Sequence, residues 1–346
     1  MSGERNLTLP DPEHRIQVRS ADGTRLNIES FGPDDGPTVV LAHGWTCSIA
    51  FWTKQVAELI SNDVRVIAYD QRGHGSSGAA GPAGHTPEAL ADDLSAVLNS
   101  PLVRGRKVVV AGHSMGAMTL IAFGARHPQQ LRQRVAAALL ASTGMNELVV
   151  RARIVPLPLP LAKLARPVIT RLMSLSPAGT TPNRWQRTVT RYTALSSSAS
   201  AADVMFCTTL IGSCPPATRA AFARMLSVLD LDDAVREFDV PTIVVAGTSD
   251  RLTPIWHARR LADSLPRLLS FVELEGSGHM TPVQSAAAVN TVFHQLIRDH
   301  LQPQAPGSED LAGAESSPRA SEGVQIRLTD GSIDLRQIPD TAQETA

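Results

Sequence analysis

The sequence predicts an α/β protein built on a mostly parallel sheet of eight strands, with helices on both faces of the sheet. Short runs of apolar, largely β-branched residues alternate with longer stretches of helical character along most of the 346-residue chain. A glycine-rich turn joins a predicted strand to a predicted helix at residues 112–116. Strands that alternate with helices usually pair in parallel, and the connecting helices then cover both faces of the sheet.

The predicted elements follow one another in a regular order. Residues 15–31 alternate between apolar and polar side chains around Asp22-Gly23, which indicates a hairpin of two strands. The other predicted strands are 38–42, 64–69, 107–111, 135–141, 241–246 and 269–274. The predicted helices are 51–60, 87–99, 115–126, 254–264 and 281–300. We therefore expect residues 1–144 and 236–301 to form one core domain.

Residues 145–235 interrupt this alternation after the sixth strand, and we expect them to form a helical lid. From 145 to 229 there are ten basic and two acidic side chains, in a chain whose net charge is −1. The run 154–161 is apolar and rich in proline, which should prevent a continuous helix there. Such a lid suits a substrate with an acyl chain and an anionic part, or peripheral contact with an anionic lipid surface. A lid that packs on the core, with its arginines merely solvated, is the alternative.

Residues 302–346 have the composition of a partly disordered acidic tail, with eight acidic residues and three arginines. Residues 324–332 of this tail resemble residues 16–24, since both alternate and lead into an Asp-Gly pair. We expect a second hairpin over 323–337 that pairs with a sheet edge, in this molecule or in a neighbour. A chance similarity between two short hairpins is the alternative.

The turn at 112–116 reads Gly-His-Ser-Met-Gly and places Ser114 between a strand and a helix. A serine in such a turn, a nucleophile elbow, is presented at the top of a sheet in a strained backbone conformation. The flanking Gly112 and Gly116 leave room where side chains would collide. Ser114 is therefore the predicted nucleophile.

An acid and a base follow Ser114 on loops after later strands. Asp250 comes after the strand 241–246, and His279 comes after the strand 269–274. The carboxyl ends of strands in an open α/β sheet are where functional groups collect. A serine hydroxyl needs an adjacent base, so we assign His279 as that base and Asp250 as the group that orients it. Weaker candidates lie within predicted helices or strands: His257, His294, Asp263 and Glu273.

A predicted oxyanion hole completes the constellation. The strand 38–42 leads into His43-Gly44-Trp45. Two backbone N–H groups must point at the oxygen that becomes negative during acyl transfer. Met115, directly after the nucleophile, and Trp45, in the loop after the third strand, are the expected donors. A tight turn with Trp45 as a core aromatic is compatible with this role.

These motifs together resemble the α/β-hydrolase family over roughly residues 14 to 300. The segment from Asp70 to Ser77 is similar to the loop after the fourth strand in haloperoxidase-like hydrolases, epoxide hydrolases and C–C bond hydrolases. The resemblance implies that Asp70 and Arg72 stabilise this loop rather than act on substrate. Epoxide hydrolases and haloalkane dehalogenases place aspartate at the elbow, so Ser114 argues against both activities.

The resemblance implies a serine hydrolase, carboxylesterase-like or lipase-like, that cleaves an ester or thioester of a hydrophobic small molecule or lipid. Because no run approaches eighteen consecutive apolar residues, we expect a cytoplasmic protein. Haloperoxidase-like perhydrolysis, C–C bond cleavage and ligand binding with little turnover are the alternatives. No cofactor is implied, and the three cysteines match no zinc-binding spacing. The near-neutral charge gives no indication of a nucleic-acid partner. The first fifteen residues lack the apolar segment of a secretory signal.

Overall fold

The computed structural model describes residues 8–81, 84–154, 157–174, 182–302, 324–329 and 332–334. Its strands form one ten-stranded sheet. In chain order these strands are β1 (His14–Arg19), β2 (Arg25–Phe31), β3 (Thr38–Ala42), β4 (Arg65–Tyr69), β5 (Val108–His113), β6 (Val135–Ala141), β7 (Thr242–Gly247), β8 (Leu268–Leu274), β9 (Val324–Thr329) and β10 (Ser332–Asp334).

The strand order across the sheet is β1-β2-β4-β3-β5-β6-β7-β8-β9-β10. Strand β2 pairs antiparallel with β1 and with β4, whereas every neighbouring pair from β4 to β9 is parallel. The predicted mostly parallel sheet is thus confirmed, and β1–β8 are its eight predicted strands. Strand β9 extends the sheet at the β8 edge, with Ser270 opposite Val324, and β10 returns antiparallel to β9.

The helices cover both faces of the sheet. They are α1 (Thr53–Ile60), α2 (Pro87–Leu98), α3 (Met115–Arg126), α4 (Pro128–Arg134), α5 (Leu148–Arg151), α6 (Leu159–Ser174), α7 (Arg184–Ala194), α8 (Ala201–Ser213), α9 (Pro216–Val228), α10 (Ile255–Ser264), α11 (Thr281–Gln284) and α12 (Ala286–His300). The predicted single helix 281–300 is wrong. Its backbone leaves the helical region at Ser285 (φ −123°, ψ 44°), which divides it into α11 and α12.

Two apolar layers, one on each face of the sheet, form the core. Alternate side chains of a strand point to opposite faces, so Val110 of β5 contributes to one layer and Val109 to the other. Helices α2 and α3 close the first layer with residues such as Leu94 and Leu120. Helix α12 helps to close the second with Phe293. This rigid arrangement fixes the strand ends from which the candidate site is built.

Helices α5–α9, which we call the helical insertion, lie between β6 and β7. Helix α6 packs against α5 and α9, and α7 packs against α8. Helix α6 begins inside the proline-rich run at Leu159, because Pro160 falls in the first turn, where a backbone N–H needs no intrahelical acceptor. Within the described residues, no helix combines the length and the apolarity that crossing a bilayer requires.

Candidate active site

Ser114 occupies a sharp turn between β5 and α3. Its backbone has φ 52° and ψ −117°, in the positive-φ range that non-glycine residues rarely adopt. The Ser114 N–H donates to the Ala141 carbonyl of β6 (2.9 Å), and the Thr143 hydroxyl donates to the Ser114 carbonyl (3.0 Å). These bonds to the segment that ends β6 hold the turn in place. The Ser114 side chain remains partly exposed, whereas its chain neighbours are buried.

Both glycines of the turn are required by close packing. A β-carbon at Gly112 would overlap the backbone nitrogen of Ala117, and one at Gly116 would overlap the carbonyl oxygen of Ala42. Because backbone atoms cannot move aside, any larger residue would push the turn away from β3 and α3. The predicted reason for these glycines is therefore confirmed by the packing.

Asp250 and His279 meet across two loops. His279 Nδ1 lies 2.8 Å from Asp250 Oδ2, and both side chains are buried. The Thr253 hydroxyl donates to the same Oδ2 (2.8 Å), while Oδ1 accepts from the backbone N–H groups of Leu252 (2.8 Å) and Thr253 (2.9 Å). Since the carboxylate can only accept, the proton of the neutral His279 ring belongs on Nδ1. Its Nε2 is then left free to accept a proton.

His113, the residue before Ser114, contacts the loop of His279. His113 Nε2 lies 2.9 Å from the His279 carbonyl oxygen, and the two rings are 4.9 Å apart. A carbonyl oxygen only accepts, so His113 Nε2 carries the proton and donates it. Burial lowers the pKa of His113 well below its ordinary value, which keeps the ring neutral. The strand that carries the serine is thus tied to the loop that carries the histidine.

The turn after β3 packs directly on the serine turn. A β-carbon at Gly44 would lie 2.7 Å from His113 Nδ1 and 3.2 Å from Ser114 Cβ. Trp45 follows Gly44 in a turn closed by the bond from Cys47 N–H to the Gly44 carbonyl (3.2 Å). Trp45 therefore directly follows Gly44, the residue that packs against the serine turn.

The second expected oxyanion donor, Met115, is the first residue of α3. The first N–H groups of a helix have no acceptor within the helix. The Met115 N–H therefore has no acceptor within α3.

Two buried histidines that the sequence analysis did not assign hold the Gly44 turn. His43 Nε2 accepts from the Gln71 N–H (3.0 Å), and His74 Nε2 accepts from the Thr46 N–H (3.2 Å). In each ring Nδ1 faces a carbonyl oxygen, of Gly44 (2.7 Å) or of Arg72 (3.0 Å), and so carries the proton. Burial lowers the pKa of His43 to about 4 and that of His74 to about 3, so both rings stay neutral.

The loop after β4 has the supporting role that the resemblance implied. Asp70 accepts from the N–H groups of Ile49 (2.8 Å) and Ser76 (2.9 Å), which closes the loop on the segment after β3. The fully buried Arg72 forms a two-point ion pair with the fully buried Asp93 (2.7 and 2.6 Å). Asp70 and Arg72 thus both bind partners within the protein, and the expectation that they stabilise the loop is confirmed.

The weaker candidates have other partners or positions. His294 pairs with Glu58 (3.2 Å), and Glu273 pairs with Arg259 (2.8 Å). Asp263 is exposed on α10. His257 is buried and lines a cleft at the start of α10.

Comparisons with known proteins show the family of the chain. Residues 39–292 match the model of the alpha/beta hydrolase family. The chain is 31% identical over 289 residues to RutD of Variovorax paradoxus (strain S110), provisionally named a carbamate hydrolase, covering 82% of this chain and 98% of that protein. It is 27% identical to a non-heme haloperoxidase of Rhodococcus erythropolis, covering 81% and 98% of the two chains.

A solved structure, of a thermophilic esterase from Thermogutta terrifontis, superimposes with a TM-score of 0.65 at 27% identity, covering 83% of this chain and 98% of that one. The chain belongs to the alpha/beta hydrolase family, and its relatives support its being a hydrolase.

Proposed function

We propose that this protein is a serine hydrolase that cleaves an ester or thioester of a hydrophobic small molecule or lipid through an acyl-enzyme at Ser114. The observation that carries the proposal is the 2.8 Å contact between His279 Nδ1 and Asp250 Oδ2, together with the bond by which His113 ties the His279 loop to the serine turn. A ligand-binding protein with little turnover would require neither this buried pair nor the strained backbone of Ser114.

In the proposed mechanism, the Ser114 Oγ attacks the substrate carbonyl carbon while His279 Nε2 takes the hydroxyl proton. Asp250 keeps the imidazole oriented and stabilises the imidazolium. The N–H groups of Trp45 and Met115 donate to the oxygen of the tetrahedral intermediate. His279 then protonates the leaving alcohol or thiol, and the acyl group stays on Ser114. Water, activated by His279, attacks the acyl-enzyme and releases the acid.

A second candidate is perhydrolysis, which the haloperoxidase relative favours. Hydrogen peroxide would attack the same acyl-enzyme in place of water, so that a peracid leaves and Ser114 recovers its proton. This reaction uses the same residues and differs only in the attacking nucleophile. Formation of peracid from a carboxylic ester and peroxide would distinguish it from plain hydrolysis.

The test is a panel of p-nitrophenyl esters of increasing acyl length, with and without hydrogen peroxide. We expect p-nitrophenol release by the native protein and a loss of about 10³-fold or more in kcat for Ser114→Ala, since the nucleophile is removed. Ser61→Ala, which changes an exposed serine at the end of α1, is the matched control and should keep full activity. Equal activity of Ser114→Ala and the native protein would rule out the acyl-enzyme.

A further inference from the structure

A cleft opens between the start of the helical insertion and the N-terminus of α10. It has a volume of about 320 Å³ and is lined by Arg151, Arg153, Leu157, Leu159, Trp256 and His257, among others. One part of its lining is cationic and the rest is apolar or aromatic. Such a combination is typical of sites for small molecules that carry both a hydrocarbon part and an anionic group.

Two residues that line this cleft contact segments next to the candidate active site. The Arg153 N–H donates to the carbonyl of Arg251 (2.7 Å), the residue after Asp250. On the other side, His257 packs against Gly144, where a β-carbon would lie 2.8 Å from His257 Nδ1. Gly144 follows Thr143, whose hydroxyl bonds the Ser114 carbonyl. The cleft therefore borders both the loop that holds the acid and the segment that supports the nucleophile.

Cations outnumber carboxylates around the cleft. The Arg151 guanidinium lies 4.1 Å from the centre of the Trp256 ring and pairs with Glu147 (2.7 Å). Glu147 also pairs with Lys163 (3.2 Å). Arg153 is exposed and forms no ion pair within the described part of the chain. A guanidinium without an ion-pair partner in the lining of the cleft can bind a carboxylate at two points.

His257 adds a buried polar atom without a partner. The residue is 2% exposed, and its Nε2 has no hydrogen-bond partner within the described residues. Burial lowers its pKa to about 4, so the ring is neutral and still carries one N–H donor. A buried polar atom without a partner calls for an explanation, and a bound ligand supplies one. The cleft also lies at the start of the ten-residue helix α10, where free N–H groups favour anions.

We propose that this cleft binds a free carboxylate at the far end of the substrate, so that monoesters of dicarboxylic acids are preferred over neutral esters of the same length. The proposal rests on the function proposed above and specifies its substrate class. Arg153 binds the carboxylate, and Trp256 with Leu157 and Leu159 contacts the hydrocarbon chain that leads towards Ser114.

Binding is tested without turnover, in the Ser114→Ala variant, by titrating tryptophan fluorescence with monomethyl adipate and with dimethyl adipate. We expect saturable quenching by the monoester alone and loss of the signal in Trp256→Phe. Arg153→Gln should weaken binding at least about tenfold, as expected for a charge-assisted hydrogen bond. Arg132→Gln, which changes an arginine exposed on α4, is the matched control and should bind normally.

Equal binding of the two esters, or unchanged binding in Arg153→Gln, would overturn the proposal. Because the readout needs no catalysis, this outcome is distinct from a failure of the proposed hydrolase function. In the Ser114 enzyme the same Arg153→Gln change should raise KM for monomethyl adipate and leave KM for dimethyl adipate unchanged.

The helical insertion also carries exposed apolar side chains. Leu161, Leu164 and Val168 are exposed at spacings of three and four residues, which places them on one face of α6, and Leu157, just before the helix, is exposed as well. Leu164 is 80% and Val168 69% exposed. The core-facing side of α6 is a different one, since Ala162 is buried. This helix thus presents a second apolar face that nothing in the described chain covers.

Helix α7 repeats the pattern. Trp185, Val189 and Tyr192 are exposed at spacings of four and three residues, and Trp185 is 72% exposed. The Tyr192 hydroxyl donates to the carbonyl of Ile154 (3.2 Å), so α7 meets the chain just before α6 begins. We call the seven exposed side chains the apolar stripe: Leu157, Leu161, Leu164, Val168, Trp185, Val189 and Tyr192.

Basic side chains flank the apolar stripe. Arg171 is exposed on α6, seven residues after Leu164 and so on the same side of that helix, and Arg184 is exposed on α7 next to Trp185. They belong to the segment with ten basic and two acidic residues. Leucine and tryptophan beside arginine are the composition of helices that lie in the interface of an anionic bilayer. The charge therefore favours a lipid surface over a second copy of this chain, which would carry the same positive patch.

We infer that the apolar stripe docks on the surface of an anionic lipid bilayer. The test is co-sedimentation with vesicles of phosphatidylcholine alone or with 30% phosphatidylglycerol, a composition chosen to be roughly that of a moderately anionic membrane. We expect binding to the anionic vesicles only, weakened by salt, with a blue shift of tryptophan emission that Trp185→Ser abolishes.

The double variant Leu164→Gln/Val168→Gln should reduce partitioning at least about tenfold, because two apolar side chains no longer leave water. Val228→Gln/Leu269→Gln, at exposed apolar residues outside the stripe, is the matched control and should bind as the native protein does. Equal binding to neutral and anionic vesicles would overturn the inference, as would light scattering that shows a dimer dissociated by the Leu164→Gln/Val168→Gln change.

Discussion

The His113 imidazole donates from Nε2 to the carbonyl oxygen of His279, across 2.9 Å. The two residues are 166 positions apart in sequence, yet each adjoins or forms part of the proposed catalytic machinery. His113 precedes the nucleophile, and His279 is the proposed base. This one bond fixes the relative position of the two loops, because His113 is also held by stacking on Phe51 (4.5 Å between ring centres).

Removing this bond should lower kcat without a matching change in KM. In His113→Leu the loop of His279 loses its tie to the serine turn, and a misplacement near 1 Å can cost about 10²-fold in rate. We expect a fall of at least about tenfold in kcat for a p-nitrophenyl ester. His113→Gln keeps a side-chain donor and should recover part of the activity. An unchanged kcat in a folded His113→Leu variant would show that the bond has no positioning role.

The acid should matter through the orientation of His279. In Asp250→Asn an amide nitrogen, which donates and cannot accept, replaces one carboxylate oxygen. The His279 ring is then no longer held with its proton on Nδ1, and we expect kcat to fall by about 10³ to 10⁴-fold. Thr253→Val removes the hydroxyl that donates to Asp250 Oδ2 and should cost far less. Steady-state kinetics on both variants checks the order. A Thr253→Val loss as large as that of Asp250→Asn would contradict these roles.

The buried ion pair between Arg72 and Asp93 should dominate the stability of the loop after β4. Asp93→Ala leaves a buried guanidinium with less compensation and should lower the free energy of unfolding by about 3–5 kcal/mol. Arg126→Ala breaks a more exposed pair with Asp92 and should cost only about 0–1 kcal/mol. Urea unfolding of both variants measures the difference. Equal losses of unfolding free energy in the two variants would show that the buried Arg72–Asp93 pair stabilises the protein no more than the exposed Arg126–Asp92 pair.

Acid should destabilise the protein through its buried histidines. The folded-state pKa values of His43 and His257, each about 4, lie below the ordinary value of 6.5, so the unfolded chain binds more protons between these values. Stability is therefore full above pH 6.5 and falls as the pH drops towards 4. Each of these rings should account for about 2 kcal/mol between pH 7 and pH 5.

Urea unfolding at the two pH values measures the effect. His43→Asn, which cannot titrate, should reduce the pH dependence even if it lowers stability at pH 7. A free energy of unfolding that is the same at pH 7 and pH 5 would contradict the assignment of neutral buried rings.

Strands β9 and β10 should protect the β8 edge of the sheet. Truncation of residues 324–346 would leave the backbone of Ser270 to Leu274 without the partners that β9 provides, and free strand edges favour self-association. We expect a lower melting temperature and a concentration-dependent increase in mass by light scattering. Truncation of 335–346 alone keeps both strands and is the control. No change in either quantity would mean that these strands contribute nothing to the edge.

The fold and the order of the candidate residues could be predicted because their signals are local. Strands β3 to β8 are short, mostly apolar runs, and Ser114, Asp250 and His279 lie in the turn or loop that follows β5, β7 and β8. The bond between His113 and His279 had no local signal, since it depends on how distant loops pack. The same holds for His43 and His74, whose roles depend on burial and on the tautomer that nearby carbonyls select.

Part of the apolar stripe could be predicted from the sequence. Its first four residues have helical spacing, but the prolines at 158 and 160 argue against a helix through that run. The structure resolves this conflict by starting α6 at Leu159, so that the prolines fall at the helix start and only Pro167 lies deeper inside. Which face of α6 would stay exposed depends on its packing against α5 and α9, and the sequence carries no signal for that.

The most direct test of the central claim is the mass and position of a fluorophosphonate adduct, because this reagent phosphonylates an activated serine. The proposed mechanism predicts a single adduct per chain, located by peptide mapping on Ser114, absent from Ser114→Ala and formed at least about 10³ times more slowly in His279→Gln. A native protein that stays unlabelled, or a Ser114→Ala variant that is labelled at the native rate, would contradict the assignment of Ser114 as the nucleophile.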